Sequence, residues 1–214
     1  MADLVTLQQY KDFAGLVSLV NDARIAIVID NVSQLVKSYC GTTIVDYAST
    51  NKVEYHNIRD TDVITLITEE SPIIQVVSVK ERKNQADAYT TLITENSDSS
   101  GKYEYIVDNQ TDSITRTTST GNKNWAQGMK AVEITYKAGY TTTPDDLKLA
   151  VFDLIKYYMK DERKERQTIA GASIENPLSS SLAGNIGFPD HIKRILDMYK
   201  IYSCLLYTSD AADE

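Results

Sequence analysis

The stretch that decides the fold is VEITYKAGYTTTPDDLKLAVFDLIKYY, residues 132–158, in which a strand pattern meets a helix pattern at a glycine. Apolar and polar residues alternate up to position 138, which predicts a strand with one buried and one solvated face. Gly139 permits a turn, and Thr143 as a cap, followed by Pro144 at the first helical position, predicts the start of a helix. The apolar stripe of that helix comprises Leu147, Ala150, Val151, Leu154, Ile155 and Tyr158.

Two further helices are predicted upstream of the strands. In the short one, over 6–14, Thr6 and Gln9 have the spacing of a capping box, and Gly15 ends the helix. The longer one, over 22–40, carries apolar residues at helical spacing and is followed by Gly41, a residue type that favours a helix C-terminus. Its apolar stripe comprises Ile25, Val28, Ile29, Val32, Leu35, Val36 and Tyr39.

The central region, 42–138, is rich in Thr, Val, Ile and Tyr and is divided by turn residues, which predicts antiparallel strands. The predicted strands span 42–46, 53–57, 63–67, 73–79, 89–93, 103–107, 113–117 and 131–138. The segment over 73–79 is apolar on nearly both faces, so we expect it to lie centrally in its sheet. The fold class is therefore predicted as α+β, with helices from 1–41 and 143–202 packing together around a β-rich insertion at 42–138.

After the long helix, the sequence predicts a loop over 167–188 and a last helix that starts at Pro189. The charged run KDERKERQ precedes the loop. It is typical of a solvated helix end, and an inter-subunit salt-bridge patch is the alternative. Residues 204–214, CLLYTSDAADE, match an in-frame translation of a sequencing adapter. We therefore expect the native domain to occupy 1–203 and the gene to continue past Ser203.

Charge and cysteine content exclude several classes of protein. Without Asp210, Asp213 and Glu214 of the suspected adapter, the formal charge changes from −8 to −5. A domain with a net negative charge is poorly suited to binding a nucleic-acid backbone, because the phosphates are negatively charged as well. Cys40 then stands alone, so no intrachain disulfide is expected, and its place after an apolar helix stripe favours a packed thiol. No membrane span or signal peptide is predicted, and we expect synthesis in a cytoplasm.

Residues suited to catalysis or metal binding are scarce. His56 and His191 are the two histidines, and neither has a partner at metal-ligand spacing on one helix face. No nucleophile elbow, phosphate-binding loop or zinc-protease motif is present. The run DNQTDS at 108–113 lacks the glycine and the glutamate of a calcium loop. The sequence therefore predicts no catalytic residues, no metal site, no cofactor and no enzymatic activity.

The arrangement nevertheless resembles a known family, the head–tail connector (head-completion or adaptor) proteins of tailed bacteriophages. The resemblance runs from about residue 3 to residue 202. It rests on the order and spacing of the segments LVTLQQYKDFAGL, LVKSYCG, SPIIQVVSV, VEITYKAGY, PDDLKLAVFDLIKYYMKDER and GFPDHIKRILDMYK. This chain differs from the shortest members of the family by its β insertion.

The resemblance implies a structural virion protein at the head–tail junction. Such proteins form a homo-oligomeric ring, twelve-fold in the family, beneath the portal protein. The ring extends the DNA channel without binding DNA specifically and docks the next neck or tail protein. The resemblance carries over no catalytic residues.

Subunit or portal contacts are predicted from position in the chain alone. They comprise Tyr158, Arg163 and Arg166 at the end of the long helix, and Arg194 and Tyr199 on the last helix. A β-rich binding module on the virion surface is the alternative function, although it would not need the helices at both ends. An enzyme would need a histidine or carboxylate cluster in a pocket, which the sequence does not indicate.

Overall fold

The two ends of the sequence form a helical layer, and the middle of the sequence forms a strand-rich body. The structure, a computed structural model, describes residues 2–94, 103–118, 120–160, 166–169, 172–175 and 188–201. Its elements in chain order are α1 (Leu7–Ala14), α2 (Asp22–Cys40), β1 (Lys52–Ile58), β2 (Thr65–Ile67), β3 (Ile73–Glu81), β4 (Thr90–Thr91), β5 (Tyr105–Asp108), β6 (Ser113–Thr118), β7 (Gly121–Asn122), β8 (Gly128–Ala138), α3 (Asp145–Met159), β9 (Arg166–Ile169), β10 (Ala172–Glu175) and α4 (Asp190–Met198). The predicted α+β class is confirmed.

The N-terminal helices begin and end where the sequence indicates. In α1 the Thr6 hydroxyl accepts from the Gln9 amide while the Gln9 side chain accepts from the Thr6 amide, which completes the capping box. Gly15 and Gly41 both adopt the left-handed conformation that ends a helix. The side chain of Asn21 makes no cap hydrogen bond at the start of α2.

The helical core forms between the apolar stripes of α2, α3 and α4, with α1 packed at its edge. Phe13 and Phe152 join α1 to α3, because their rings stack with centroids 4.7 Å apart. Two buried lysines form ion pairs at the edge of this core. Lys11 pairs with Asp22 at 2.9 Å, and Lys37 pairs with Asp46 at 2.8 Å. The buried apolar residues on the three longer stripes are Ile25, Ile29, Val32, Val36, Cys40, Leu147, Ala150, Val151, Leu154, Ile155, Ile192 and Leu196.

The strand-rich body consists of two antiparallel sheets that share one apolar core. The first has the order β1-β8-β3-β4, and the second has the order β2-β6-β5 with β7 paired to β6. Alternation along β8 turns Val132, Ile134 and Tyr136 into the space between the sheets, where all three are buried. The body therefore has its own apolar core, separate from the helical one.

Several predicted strands form at or near their expected positions, and one does not. β3 lies between β8 and β4, although Ile74 and Val77 are exposed near irregularities in its register. The segment 42–46 is a turn, so the strand prediction there was wrong. The reason is tertiary, because Ile44 is held at φ +66° and its side chain is fully buried in the helical core. The two-residue strand β7 had not been predicted.

The starts of the two C-terminal helices differ by one residue from the prediction. Pro144 and Pro189 are the residues before the helices, not their first helical residues. Thr143 does not cap α3, because its hydroxyl donates to the Leu4 carbonyl at 2.6 Å and so ties the N-terminal segment to the core.

The prediction of a loop over 167–188 was wrong for the first part of that range. β9 and β10 pair antiparallel there, with Thr168 opposite Ser173 and Gln167 opposite Ile174. β-branched residues in this segment favour strands over the loop that its Ser and Gly content suggested. Positions 176–187 lie outside the described residues.

The junction between β8 and α3 depends on a close backbone approach. Gly139 adopts φ +94°, and a Cβ atom added to it would lie 2.2 Å from the Ile44 carbonyl oxygen. The same oxygen accepts from the Tyr140 amide at 2.7 Å, and the Gly139 amide donates to the Pro72 carbonyl at 2.8 Å. Glycine is therefore required on both conformational and steric grounds.

A buried polar network lies beside this junction on the inner face of the first sheet. The Tyr136 hydroxyl donates to Glu54 Oε2 at 2.6 Å and accepts from the Glu70 amide at 3.1 Å. The Glu69 amide also donates to Glu54 Oε2, at 3.2 Å. Glu54 Oε1 lies 2.8 Å from His56 Nε2, a short contact that is poorly aligned as a hydrogen bond.

This network sets the protonation of its members. Burial acts to raise the pKa of the Glu54 carboxyl. The interactions of this carboxyl with His56, the Tyr136 hydroxyl and the Glu69 amide together have a larger effect, and they hold its pKa below the usual value. Burial, and then the bond to Glu54, raises the pKa of the Tyr136 hydroxyl far above its usual range. At neutral pH the network therefore holds a charged carboxylate and a neutral phenol.

We expect Gly139→Ala to lower the free energy of unfolding by roughly 3 kcal/mol or more, because the new methyl group meets the Ile44 carbonyl in a strained backbone. Urea denaturation followed by circular dichroism measures the change. Gly15→Ala is the matched control, since Gly15 also has positive φ but has open space around it. Equal losses for the two variants would show that steric contact at Gly139 is unimportant.

We expect the protein to lose stability on acidification, with Glu54 as a contributor. A carboxyl whose folded pKa is lowered stabilises the fold above its unfolded pKa, and this contribution disappears as pH falls through the folded pKa. Glu54→Gln should therefore cost about 1–3 kcal/mol at pH 7 and show a smaller loss between pH 5 and pH 3. Urea denaturation at the three pH values measures this.

Glu69→Gln is the control for this comparison, because the Glu69 side chain is mostly exposed and bonds Lys52 at the surface. Its cost at pH 7 should stay below about 1 kcal/mol. A Glu54→Gln variant whose stability falls with acid as steeply as that of the wild type would contradict the assigned role.

Candidate functional site

The five residues predicted as contacts do not form one cluster. Tyr158 is half-buried in the last turn of α3, packs against the helical core and meets the Tyr157 ring edge-on at 5.5 Å. Arg163 lies outside the described residues. Arg166 is the first residue of β9 and is paired in register with Glu175.

The remaining two predicted residues lie on α4 and directly after it. Arg194 is exposed on α4. Tyr199 follows α4, and its hydroxyl donates to Asp146 Oδ1 in the first turn of α3 at 2.6 Å. Asp146 and Tyr158 are twelve residues apart on one helix, or roughly 18 Å. The structure therefore divides the predicted contacts between two ends of the helical layer.

A surface recess lies at the end where Tyr199 is found. Its volume is about 120 Å³. Thr42 and Ile44 place it directly after the C-terminus of α2, and the Ile201 amide closes that side by donating to the Cys40 carbonyl at 2.9 Å. The residues lining the recess are Thr42, Ile44, Ser71, Tyr140, Met198, Tyr199, Lys200 and Ile201.

The lining of the recess combines hydroxyl groups, one lysine and a few apolar side chains. None of the described residues that line it is a histidine or a carboxylate. Burial first, and then the hydrogen bond to Asp146, raises the pKa of the Tyr199 hydroxyl well above its usual value. A phenol with a raised pKa is a poor general base at neutral pH. The described lining of the recess therefore offers hydroxyl groups and one lysine, but neither a histidine nor a carboxylate.

Cys40 is a packed thiol, as its place in the α2 stripe predicted. The residue is fully buried, and its sulfur lies 3.7 Å from the Leu196 carbonyl oxygen. Burial, with a smaller contribution from Asp197, raises the pKa of the Cys40 thiol to about 11. Because the thiolate is the reactive form, this cysteine is unsuited to nucleophilic chemistry.

Charged side chains do meet inside the strand-rich body, and the sequence did not reveal this. Arg116 is buried, donates to Glu81 Oε2 at 3.1 Å and lies over the Trp125 ring at 5.8 Å. Like Glu54, Arg116 and Glu81 form hydrogen bonds with other groups inside the protein. Among the described residues, no group of three or more His, Cys, Asp or Glu could hold a metal ion, and no helix is long and apolar enough to cross a membrane.

The connection between α1 and α2 is an exposed apolar feature of the helical layer. This apolar loop, defined as residues 16–20, exposes 93% of Val17, 76% of Leu19 and 87% of Val20. This exposed loop was not predicted, although the sequence indicates it. Four of the five residues are apolar, yet they lie between the helix stop at Gly15 and the start of α2, outside both helical stripes. An apolar run with no place in a core indicates a contact surface.

Comparison with known proteins gives a consistent assignment. A model of the family described as "Head completion protein" matches residues 3–202. A head completion protein of Escherichia phage T5 is 31% identical over 77 residues, which is 36% of this chain. In that match the chain spans 42% of the T5 protein, or less than half of it.

Solved structures share the fold at low sequence identity. One is the neck of an empty GTA particle computed with C6 symmetry, with a TM-score of 0.54, 13% identity and coverage of 94% of this chain and 92% of that chain. Another is the neck of a native GTA particle computed with C12 symmetry, with a TM-score of 0.52, 12% identity and coverage of 95% and 96%. With the family model spanning both helical ends and the β insertion, the chain belongs to the head completion protein family.

Proposed function

We propose that this protein is a structural component of the neck of a tailed-phage virion, forming a ring under the portal protein that extends the DNA channel and docks the next neck or tail protein. The observation that carries the proposal is the family match over residues 3–202, which includes all four helices and the whole strand-rich body. The resemblance to head–tail connector proteins implies a place at the head–tail junction, where the contacts of this chain would be with other proteins.

Ring formation is supported by the kind of particles that contain similar folds. The similar chains come from particle necks computed with C6 and C12 symmetry. Copies in a ring contact each other head to tail through two different surfaces. We propose twelve copies in a ring, assembled from subunits made in the host cytoplasm.

The DNA channel imposes a further condition on the ring, since DNA must pass without being held. A formal charge of −8 for the chain, or −5 without the three acids of the suspected adapter, disfavours tight binding to phosphate. A recess lined by neither a histidine nor a carboxylate, together with the buried Cys40 thiol, supports a protein with no enzymatic activity and no cofactor.

The positions of the predicted contact residues allow a division of surfaces between partners. We propose that residues 1–203 form the working domain and that Tyr158, Arg163 and Arg166 face a partner at the far end of α3. Arg194 and Tyr199 would then face a different partner at the α4 end. Of these two residues, the exposed Arg194 is expected to contribute more to binding than Tyr199, because arginine is enriched in protein interfaces.

A second candidate function, a β-rich binding module on the virion surface, is favoured by one feature. The outer face of the first sheet exposes Val53 and Tyr55 on β1. A binding module would use this face and leave the helical layer without a role in contacts.

We expect purified protein mixed with the portal protein encoded beside it to form a ring stacked coaxially on the portal, because the proposed function requires that contact. Cryo-electron microscopy of the mixture measures ring formation and copy number. Arg194→Glu should reduce the fraction of decorated portals, whereas Arg59→Glu, which reverses an exposed charge on the strand-rich body, should leave that fraction unchanged.

Folded protein that leaves the portal rings bare would contradict the proposed function. Circular dichroism of the same sample shows whether the protein is folded. Bare portal rings, together with binding of this protein to the surface of an intact virion, would favour the β-rich binding module.

A further inference from the structure

The outer face of the first sheet concentrates positive charge in a chain that is acidic as a whole. The alternation that buries Val132, Ile134 and Tyr136 turns Glu133 and Lys137 to the outside. Among the described residues, the four cations and one carboxylate of this surface give a formal charge of +3, whereas the chain carries −8. This basic face is defined as Tyr55, Lys80, Arg82, Tyr89, Lys130, Glu133 and Lys137.

Two cation–aromatic pairs lie side by side on the basic face. Lys130 Nζ lies 5.2 Å from the centroid of the Tyr55 ring, and the Arg82 guanidinium carbon lies 5.0 Å from the centroid of the Tyr89 ring. The two ring centroids are 6.5 Å apart, and the Tyr89 hydroxyl donates to the Lys130 carbonyl at 2.6 Å. A cation over a ring face is attracted to it. These four side chains therefore form one connected patch.

Sheet pairing and hydrogen bonds hold the basic face in place. Glu133 of β8 lies opposite Tyr55 of β1 and opposite Lys80 of β3. The Glu133 carboxylate bonds Lys80 at 2.6 Å. Arg82 donates to three backbone carbonyls at 2.9–3.1 Å. Because these side chains are already ordered, they would lose little conformational entropy when a partner binds.

Apolar groups share this surface with the charges. Val53 and Tyr55 on β1 are 49% and 46% exposed, and Met129, directly before Lys130, is 53% exposed. Tyrosine, methionine and arginine are the residue types that protein interfaces favour. The adjacent β3–β4 connection adds Lys83 and Asp87, whose charges cancel. The basic face therefore combines a positive charge with the composition of a contact surface.

We propose that the basic face binds an acidic surface on the next neck or tail protein. This inference rests on the proposed function, because it names the surface by which the ring would dock that protein. Electrostatic complementarity selects a partner that presents carboxylates to a positive face. Carboxylates of the partner would meet Lys80, Lys130 and Lys137, and its apolar side chains would cover Val53 and Tyr55.

The position of the basic face suits a partner other than the portal or a neighbouring copy. Tyr158, Arg194 and Tyr199, three of the contacts assigned to those partners, belong to the helical layer. The basic face belongs to the strand-rich body. A ring subunit uses separate surfaces for its different neighbours, since each contact must form without blocking the others. The basic face thus supplies a surface for a further protein.

The geometry favours an acidic protein over a nucleic acid as the occupant. Single strands bind by stacking their bases on open aromatic faces. Here Lys130 already lies over Tyr55, and Arg82 already lies over Tyr89. The guanidinium of Arg82 also directs three of its five N–H donors to backbone carbonyls, which leaves two for a phosphate. Exposed Val53 gains from burial against another protein and gains nothing from a phosphate.

Charge reversal on the basic face tests the inference. Rings of full-length protein are assembled on the portal protein, and biolayer interferometry measures their affinity for the purified neck and tail proteins encoded beside it. Lys130→Glu should leave ring assembly unchanged and weaken binding of the next protein by about tenfold or more, because it places a carboxylate opposite the acidic partner. Added salt should weaken wild-type binding more than it weakens binding by the variant.

Lys123→Glu is the matched control for Lys130→Glu. It makes the same change of charge at an exposed lysine whose amide bonds the Arg116 carbonyl on the second sheet, away from the basic face. Its affinity should stay within about twofold of the wild type. Tyr55→Ala removes the ring beneath Lys130 without changing the charge, and it should also weaken binding. Circular dichroism of each variant shows whether it is folded.

Four results would overturn the inference. Lys130→Glu rings might bind the next protein as tightly as Lys123→Glu rings, or wild-type rings could bind none of the neck and tail proteins. Loss of ring assembly in Lys130→Glu alone would assign the basic face to the portal or to a second copy. Binding of wild-type protein to a single-stranded or duplex oligonucleotide, lost in Lys130→Glu while the next protein still binds, would assign the face to nucleic acid.

Failure of the proposed function looks different from failure of this inference. Folded wild-type protein that forms no ring on the portal would overturn the proposed function. Normal rings from wild type and Lys130→Glu, with equal affinity for the next protein, would overturn only the assignment of the basic face.

Discussion

The hydrogen bond from the Tyr140 amide to the Ile44 carbonyl is the interaction on which the rest of the structure depends. It fixes the segment after α2 against the segment before α3, so it joins the helical layer to the strand-rich body. The approach is possible because position 139 has no side chain. It also requires Ile44 to adopt a left-handed conformation that a β-branched residue rarely takes. Full burial of the Ile44 side chain offsets that strain.

Several charged groups inside the protein lie around this junction. Lys37 bonds both Asp46 and the Ala2 carbonyl, which holds the N-terminal segment beside the turn. Glu70 accepts three hydrogen bonds from Thr42 and Thr43 at the same turn. The interior polar groups are thus used to fix the junction, whereas the apolar loop and the recess remain at the surface.

The helices could be predicted closely from the sequence because their stripes, caps and glycine stops agree with one another. The bounds of α2, Asp22–Cys40, match the predicted range of 22–40. The segment 42–46 could not be predicted, since its β-branched residues favour a strand, whereas its contacts with Gly139, Tyr140 and Glu70, which are distant in sequence, hold it as a turn. The recess was equally hidden, because Thr42, Tyr140 and Tyr199 are distant in sequence. The apolar loop was visible in the sequence, but its exposure became clear only once α1 and α2 were placed.

The order of elements along the chain has a consequence for folding. α2 and α3 pack together but are separated by the whole strand-rich body, and β1 pairs with β8 through contacts such as Lys52 with Tyr136. Closing such long loops costs entropy before any contact compensates for it, and domains rich in non-local pairs fold slowly. On a ribosome, Cys40 stays uncovered until α4 has emerged, because Leu196 supplies part of its cover. A nascent chain that ends before residue 196 would therefore leave part of the helical core uncovered, so this core is completed only after α4 has been made.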